Sequence, residues 1–569
     1  MKNSAVRNIV PYFLKYIHIG IPGYILMIGA ATCSLILPLI IQDIVNDFSA
    51  ISNGLVFSIV GLLLGSFIFQ AISTYLLALM GNKVTLEIRE EYWRNTLSGK
   101  IEDIDTVQSG EISSRLIIDT LKVASFVSLQ LPNMVTGVIS LTGALLIMLY
   151  MDITLTITMI ILVPILFFTI VPISNKVSVV AEMQQALLGS GNSYFTERIS
   201  QIRLIKAYGT EGVEGDRGGK ELHKMYHLDN KGAKIMALLT PLMGCIITLL
   251  LISVVGIGLY RVNNGYVTVG TLVAFFMYFY ETLNPIQTIA GFIVEIKELH
   301  GGTKELFQLL RREKEEYAGK DKFSGQQEIS FRNVCFSYDS IGPQVLKNVT
   351  FSAMEGEQTA IVGESGSGKT TIISLLERFY SVDQGEIYYG NIPISSLDLH
   401  KWRSLFSYVA QDSIIISGTI KDNIEYGSNR NVTYDELIEA ARIAEIYDFI
   451  MQQADQFDTQ VGERGVYLSG GQKQRLAIAR AIIRKPKYLL LDEATANLDS
   501  TTEENVQSSI NKILKGRSSI VIAHRLSTII NADNVIVLQK GRVTGQGTHQ
   551  ELLANNSYYA ELVKSQSFV

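Results

Sequence analysis

Apolar residues fall into two regimes along this chain. Up to about residue 300, long apolar runs dominate. Six of them, at roughly 20–42, 54–80, 132–150, 153–174, 235–260 and 268–294, suit helices of the ~20 residues that span a bilayer. Ahead of the first, VRNIVPYFLKYIH is basic and aromatic, as expected of an amphipathic helix on the inner membrane surface. The first apolar run outlasts a typical h-region and lacks a small-x-small cleavage site, which argues against a signal peptide. Past residue 327 the pattern changes. EISFRNVCFSYDS alternates like a strand, QTAIV is a short buried strand, and amphipathic stretches follow. Between the regimes, LLRREKEEYAGKDKFSGQQ is charged and without apolar period, so it reads as a linker. The expected domains are a membrane domain at 1–308, a linker at 309–326 and an α/β domain at 327–569.

The loops set the expected topology. Short connections at 43–53, 150–153 and 261–267 hold a single basic residue, Arg261. The long ones, 81–131 and 175–234, hold Lys83, Arg89, Arg94, Lys100 and Arg115, and Lys176, Arg198, Arg203 and Lys206. By the positive-inside rule both long loops and both termini are cytoplasmic. The long loops are helix-like, so spans 2 to 5 are expected to continue as cytoplasmic stalks; twenty extra residues would project about 30 Å.

Polar residues are scarce in the spans, which singles out Glu281 in FFMYFYETLNPIQ. A carboxylate facing lipid is costly, so it should face the bundle interior or a wet cavity. Met277, Glu281, Asn284 and Thr288 share a helical face by i+3/i+4 spacing. Phe275, Phe276, Tyr278 and Tyr280 add aromatic rings. Glu281, Met277, Tyr278 and Asn284 are therefore candidates for a wall facing amphipathic or cationic cargo. A structural hydrogen bond between helices is the other open reading.

Composition adds exclusions. Hydrophobic residues reach 47% and charged ones 18%, below the ~25% of soluble chains. A net charge of −5 gives no reason to expect nucleic acid as a partner. Cys33, Cys245 and Cys335 are widely spaced and read as buried small hydrophobes. His223 and His227 have i,i+4 spacing, but Lys224 stands where a zinc protease needs Glu, so no metal is expected there.

The chemistry lies in the second regime. QTAIV runs into GESGSGKT and then a helix, the strand–loop–helix context of a phosphate-binding P-loop. Gly363, Gly366 and Gly368 let backbone N–H groups wrap phosphates at a helix N-terminus. Lys369 reaches the β- and γ-phosphates and Thr370 offers its hydroxyl to Mg²⁺. Candidate nucleotide contacts in this loop are Gly363, Glu364, Ser365, Gly366, Ser367, Gly368, Lys369, Thr370 and Thr371. Downstream, YLLLDE reads as a buried strand ending in Asp492, a Mg²⁺ partner, followed by Glu493, positioned as a general base for water. IVIAHRLST repeats the pattern and puts His524 at a strand exit, able to contact the γ-phosphate. YLSGGQKQR is a second glycine-rich anion site, in which Ser469, Gly470, Gly471 and Gln472 open a helix.

With these motifs the chain closely resembles the ABC exporters of the half-transporter arrangement, over nearly its whole length. GESGSGKT resembles the Walker A loop, LSGGQ the signature, YLLLDE the Walker B segment, ANLD the D-loop and AHR the H-loop. Gln411 in YVAQDS resembles the Q-loop and Tyr338 in FSY the A-loop; GERG before the signature resembles an exporter segment. GEISSRLIIDT and RISQIRLIKAYGTEG resemble the family's coupling regions. Ala410, Gln460 and Asn497 depart from the usual pattern without removing a catalytic group. No peptidase-sized extension of about 150 residues precedes the first span, unlike some peptide exporters.

The resemblance implies a type IV fold: six transmembrane helices with long cytoplasmic extensions, fused to an α/β P-loop ATPase domain. It implies that Tyr338 stacks on adenine, that Gln411 contacts Mg²⁺ and the attacking water, that Glu493 is the base and that His524 clamps the γ-phosphate. It also implies that the signature reaches the ATP of a partner subunit, so a homodimer is expected. The expected activity is ATP-driven export of hydrophobic or amphipathic compounds across a bacterial plasma membrane, in contact with lipid. A bacteriocin or pheromone exporter and a lipid flippase are the alternatives. A soluble P-loop ATPase is excluded by the spans, and an importer normally keeps permease and ATPase on separate chains.

Overall fold

A computed structural model describes residues 5–47, 53–107, 109–317, 319, 327–339, 342–428, 430–492, 514, 516–523 and 525–566. The chain divides into two compact units. One comprises Met1–Arg94 and Ser109–Arg311; the other comprises Asn95–Gln108 and Arg312–Val569.

The first unit is all helical. An amphipathic helix, α1 (Ala5–Lys15), is held to the third helix by a Lys15–Glu87 ion pair and by Tyr12 donating to Glu91 at 2.7 Å. Helices α2 (Ile17–Asn46) and α3 (Asn53–Ser98) follow. After α4 (Ile101–Ile104), a long helical run combines α5 (Ser109–Ser114), α6 (Thr120–Ser125) and α7 (Leu131–Met151). Two π-helical turns, Arg115–Asp119 and Phe126–Gln130, interrupt it. Then come α8 (Ile153–Ser200), α9 (Ile202–Ala207), α10 (Glu211–Asn263) and α11 (Val269–Leu309).

Among the described residues, four helical stretches are long and apolar enough to cross a membrane: Ile17–Asn46, Asn53–Ser98, Gly110–Met151 and Glu211–Asn263. The other two expected spans form parts of α8 and α11, and the count of six does not follow from these four. At 48 and 53 residues, α8 and α10 run to about 70–80 Å, far beyond a ~30 Å hydrocarbon core.

Arg261, the one basic residue of the short loops, has a partner. Its Nε donates to Asp152 Oδ2 at 3.0 Å, and Asp152 also caps α8 by accepting from the Leu155 amide at 2.8 Å. The Asp152 side chain is 5% exposed and that of Arg261 is 21% exposed. The pair ties the start of α8 to the end of α10. Asp152→Asn keeps the cap, because Asn caps as well as Asp, yet leaves the guanidinium without its countercharge. A loss of roughly 2–3 kcal/mol is expected, read as a lower thermal midpoint of the solubilised protein. An unchanged midpoint would show that the pair contributes nothing.

The second unit carries two sheets. β1 (Ile329–Phe336), β2 (Leu346–Ala353), β4 (Gln384–Tyr389) and β5 (Ile392–Pro393) form an antiparallel sheet in the order β2-β1-β4-β5. The other, in the order β10-β9-β3-β8-β7-β6, is parallel except at its β10 edge. Its strands are β3 (Gln358–Val362), β6 (Phe406–Val409), β7 (Tyr488–Asp492), β8 (Ser518–Ile522), β9 (Asn534–Gln539) and β10 (Arg542–Gly547). β7 and β8 are buried at every position, which is why they read as unbroken apolar runs rather than alternating ones. The core between the sheets gathers Phe331, Phe351, Trp402, Phe406 and Tyr488. None of the three cysteines is fully buried, against expectation: Cys33 and Cys335 are half-buried, and Cys245 is exposed on a spanning helix, where an apolar surface meets lipid or another helix rather than water.

Candidate active site

The phosphate loop leaves the carboxyl end of β3 at the centre of the parallel sheet, where ligands bind in such folds. It closes into α12 (Lys369–Leu376), whose N-cap is Gly368 at φ +104°. A side chain there would be strained and would also meet Leu346 Cδ2 at 2.7 Å. At Gly363 an added Cβ would lie 2.1 Å from the Leu538 carbonyl oxygen of neighbouring β9. Lys369 is 6% exposed, and its ammonium donates to the carbonyls of Gly363 and Glu364 at 2.8 Å each. Ser367 Oγ is buried without a hydrogen-bond partner, an orphan that a phosphate oxygen would satisfy.

One cavity of about 350 Å³ collects residues the sequence singles out over 150 positions apart. Tyr338, Ser365, Gly366, Gly368, Lys369, Thr370, Thr371, Gln411 and Asp492 line it, together with Val345 and Ile522. Tyr338 is 45% exposed and stands nearly perpendicular to Phe336 and Tyr380, with ring centroids 5.0 and 5.1 Å away. Its hydroxyl lies 3.1 Å from Thr371 Oγ1. An open aromatic face beside a phosphate cradle suits adenine. Thr370, Gln411 and Asp492 supply the hard oxygen donors that Mg²⁺ favours.

Tyr408 and Glu377 escaped the motif reading. Tyr408 sits on β6 next to β7 and hydrogen-bonds Asp492. Burial first, then the charges of Asp492 and Glu377, raise its phenol above the usual range, so it remains a donor to that carboxylate. Glu377 is 7% exposed, and burial pushes it up to about 7 against the pull of Arg403 and Arg484. Neither residue belongs to a glycine- or acid-rich motif: the strand order reveals Tyr408, and burial at the end of α12 reveals Glu377.

Glu493 and His524 lie outside the described residues, as does the ANLD segment. Ser469, by contrast, is placed. It caps α13 (Gly470–Ile483) in a reciprocal box: its Oγ accepts from the Gln472 amide at 3.3 Å, and Gln472 Oε1 accepts from the Ser469 amide at 2.8 Å. Ser469 and Gly470 are exposed, and neither they, Gly471 nor Gln472 lines the cavity of the P-loop. Beside them Tyr467 is 75% exposed and Val466 64%.

In the helical unit the candidate wall divides. Glu281 and Met277 are half-buried and Asn284 is exposed. Tyr278 is fully buried and its phenol donates to the Leu35 carbonyl, so it fastens α11 to α2 instead of facing a cavity. Phe275 is buried as well, whereas Phe276 and Tyr280 are exposed.

A P-loop on a parallel sheet, joined on one chain to long membrane-spanning helices, defines a nucleotide triphosphatase coupled to a membrane domain. Comparison with known proteins agrees. The family model for the ABC transporter transmembrane region matches residues 21–286, and the one described as ABC transporter matches 346–496. A multidrug resistance ABC transporter ATP-binding and permease protein of Lactococcus lactis subsp. cremoris is 36% identical, covering 98% of this chain and 96% of that one. An ATP-dependent lipid A-core flippase of Methylobacillus flagellatus is 32% identical, over 92% and 89%. A solved bacterial Atm1-family ABC exporter with ATP bound superposes with a TM-score of 0.82 at 28% identity, over 96% and 98%. The chain belongs to the ABC transporters: it is an ABC exporter half-transporter, a membrane protein whose second unit binds and hydrolyses ATP to drive transport.

Proposed function

We propose that the chain works as a homodimer in a bacterial plasma membrane and exports hydrophobic or amphipathic compounds, cationic ones among them. ATP draws two ATPase domains together, the long helices carry that closure into the bundle, and hydrolysis resets it. Both termini and the ATPase domain face the cytoplasm. Tyr338 seats adenine, while the P-loop amides, Ser367 and Lys369 hold the phosphates. Mg²⁺, held by Thr370 and Asp492 with Gln411, would neutralise charge on the β- and γ-phosphates. Tyr408 keeps Asp492 oriented. Glu493 takes the proton of the attacking water, and His524 contacts the γ-phosphate. The 1–308, 309–326 and 327–569 division assigns transport, tethering and ATP chemistry.

The observation carrying the cargo reading is Glu281, a half-buried carboxylate within an apolar helix. The test reconstitutes the protein in vesicles and measures ATP hydrolysis against lipophilic cations, neutral drugs, lipids and apolar peptides. Lipophilic cations are expected to stimulate turnover several-fold in the wild type, and Glu281→Gln to remove that response while neutral drugs still act. Equal stimulation of the two proteins by cations would remove Glu281 from the cargo site. The similarity to lipid A-core flippases makes flipping of a lipid the second reading, supported if lipids alone stimulate.

A further inference from the structure

Two segments far apart in sequence, 95–108 and 312–317, meet within the ATPase unit. Gly99 and Lys314 form an antiparallel bridge, and the Glu315 amide donates to the Ser98 carbonyl at 2.8 Å. Lys100 pairs with Glu313, and the Arg312 guanidinium donates to the Asp103 carbonyl. The linker and the end of α3 are thus one small paired element.

One contact fastens that element to the nucleotide fold. The Glu315 carboxylate, 9% exposed, takes both forks of the Arg403 guanidinium, at 2.8 Å from Nη1 and 2.7 Å from Nη2. Tyr317 also donates to Glu315 at 3.0 Å and stacks on His400 at 4.3 Å between ring centroids. A bidentate, largely desolvated pair has far more hold than the exposed Lys100–Glu313 pair, which contributes little. Arg403 is fixed in turn. Its Nε donates to the Glu377 carbonyl at 2.8 Å, its plane lies over Phe379, and Arg484 donates to its carbonyl at 3.0 Å.

Glu377 to Phe379 is the turn that delivers Tyr380. The Tyr380 hydroxyl donates to Asp105 at 2.6 Å, and its ring stands against Tyr338, the adenine-facing aromatic. One tyrosine therefore touches both the nucleotide seat and the 95–108 segment, and Arg403 holds the turn that aims it.

We propose that Glu315 and Arg403 are positioning residues for coupling: their ion pair seats the joined 95–108 and 312–317 segments on Tyr380, so that occupancy beside Tyr338 is transmitted to Asp105. This rests on the exporter reading above. It goes beyond that reading in assigning the linker an active part.

The test uses the full-length protein in lipid nanodiscs and follows amide exchange of the 95–108 segment with and without the non-hydrolysable nucleotide AMP-PNP. In the wild type, nucleotide is expected to slow exchange there at least about threefold. Glu315→Gln and Arg403→Gln should each abolish the slowing while binding AMP-PNP within about twofold of wild type, and Glu315→Asp, which keeps the carboxylate and leaves Arg403 on its turn, should retain part of it. The proposal is overturned if the wild type shows no slowing or if the single variants keep it. It is also overturned if they lose it only in proportion to lost nucleotide affinity, which is what a merely structural role would give. Cargo-stimulated hydrolysis is measured separately, so failure of the export reading and failure of the clamp are told apart.

Discussion

Lys369→Ala is expected to cut ATP turnover at least about 100-fold, equivalent to about 2.7 kcal/mol of lost transition-state stabilisation. The side chain is buried, and its ammonium is held by the Gly363 and Glu364 carbonyls at the mouth of the loop. The ammonium already sits at the loop, so its charge acts on the phosphates from a buried position. Lys369→Arg is expected to fail nearly as badly. A planar guanidinium is wider than an ammonium and cannot occupy a seat shaped by two carbonyls. Phosphate release from reconstituted protein checks both variants, with the thermal midpoint as a control for folding. Turnover within a few-fold of wild type would remove Lys369 from the phosphate site.

The lining of the P-loop cavity was legible in sequence because each motif that contributes to it is local, although the motifs lie far apart. A P-loop needs glycines at fixed offsets between a strand and a helix, and all of these are neighbours in the chain. The structure places Gly366, Gly368, Lys369 and Asp492 in one cavity with Gln411 and Tyr338. Tyr408 was not legible, since its role depends on β6 lying beside β7, a long-range pairing that no local pattern encodes. The grouping of 95–108 with the ATPase unit was hidden for a similar reason. It arises from contacts of Ser98, Gly99, Lys100, Asp103 and Asp105 with residues more than 200 positions away.

The helical unit was legible in outline only. Apolar runs announce helices, but they do not say which face packs. Met277, Glu281 and Asn284 share a face by spacing, and they remain half-buried or exposed. Tyr278, one position off that face, turns inward to bond Leu35. Arg261 looked like an exception to the charge rule. The sequence could not show that Asp152, 109 residues earlier, neutralises it at the adjoining helix end. The π-helical turns that interrupt the run from Ser109 to Met151 had no signal in composition.

Whether the signature serves its own subunit's ATP or a partner's has a decisive expected result. Ser469→Asp is the suitable variant: Asp caps a helix as well as Ser, so α13 keeps its start, but a carboxylate then faces any γ-phosphate brought to it. Consider dimers in which one subunit carries Lys369→Ala and the other Ser469→Asp. If the signature acts in trans, both lesions fall in one composite site and the second site is intact. If it acts in cis, each site has one lesion and none is intact. Placing both changes on one subunit inverts the outcome, sparing a site only under the cis arrangement. The exposure of Ser469, Gly470, Val466 and Tyr467, none of which lines the P-loop cavity, favours trans. Tandem-tagged dimers with the lesions on separate subunits are therefore expected to trap about one nucleotide per dimer. Those with both lesions on one subunit should trap at least about 50-fold less, as like-charge repulsion and the missing lysine each close a site. The opposite ranking would assign the second glycine-rich loop to its own chain's ATP and dissolve the physical reason for a dimer.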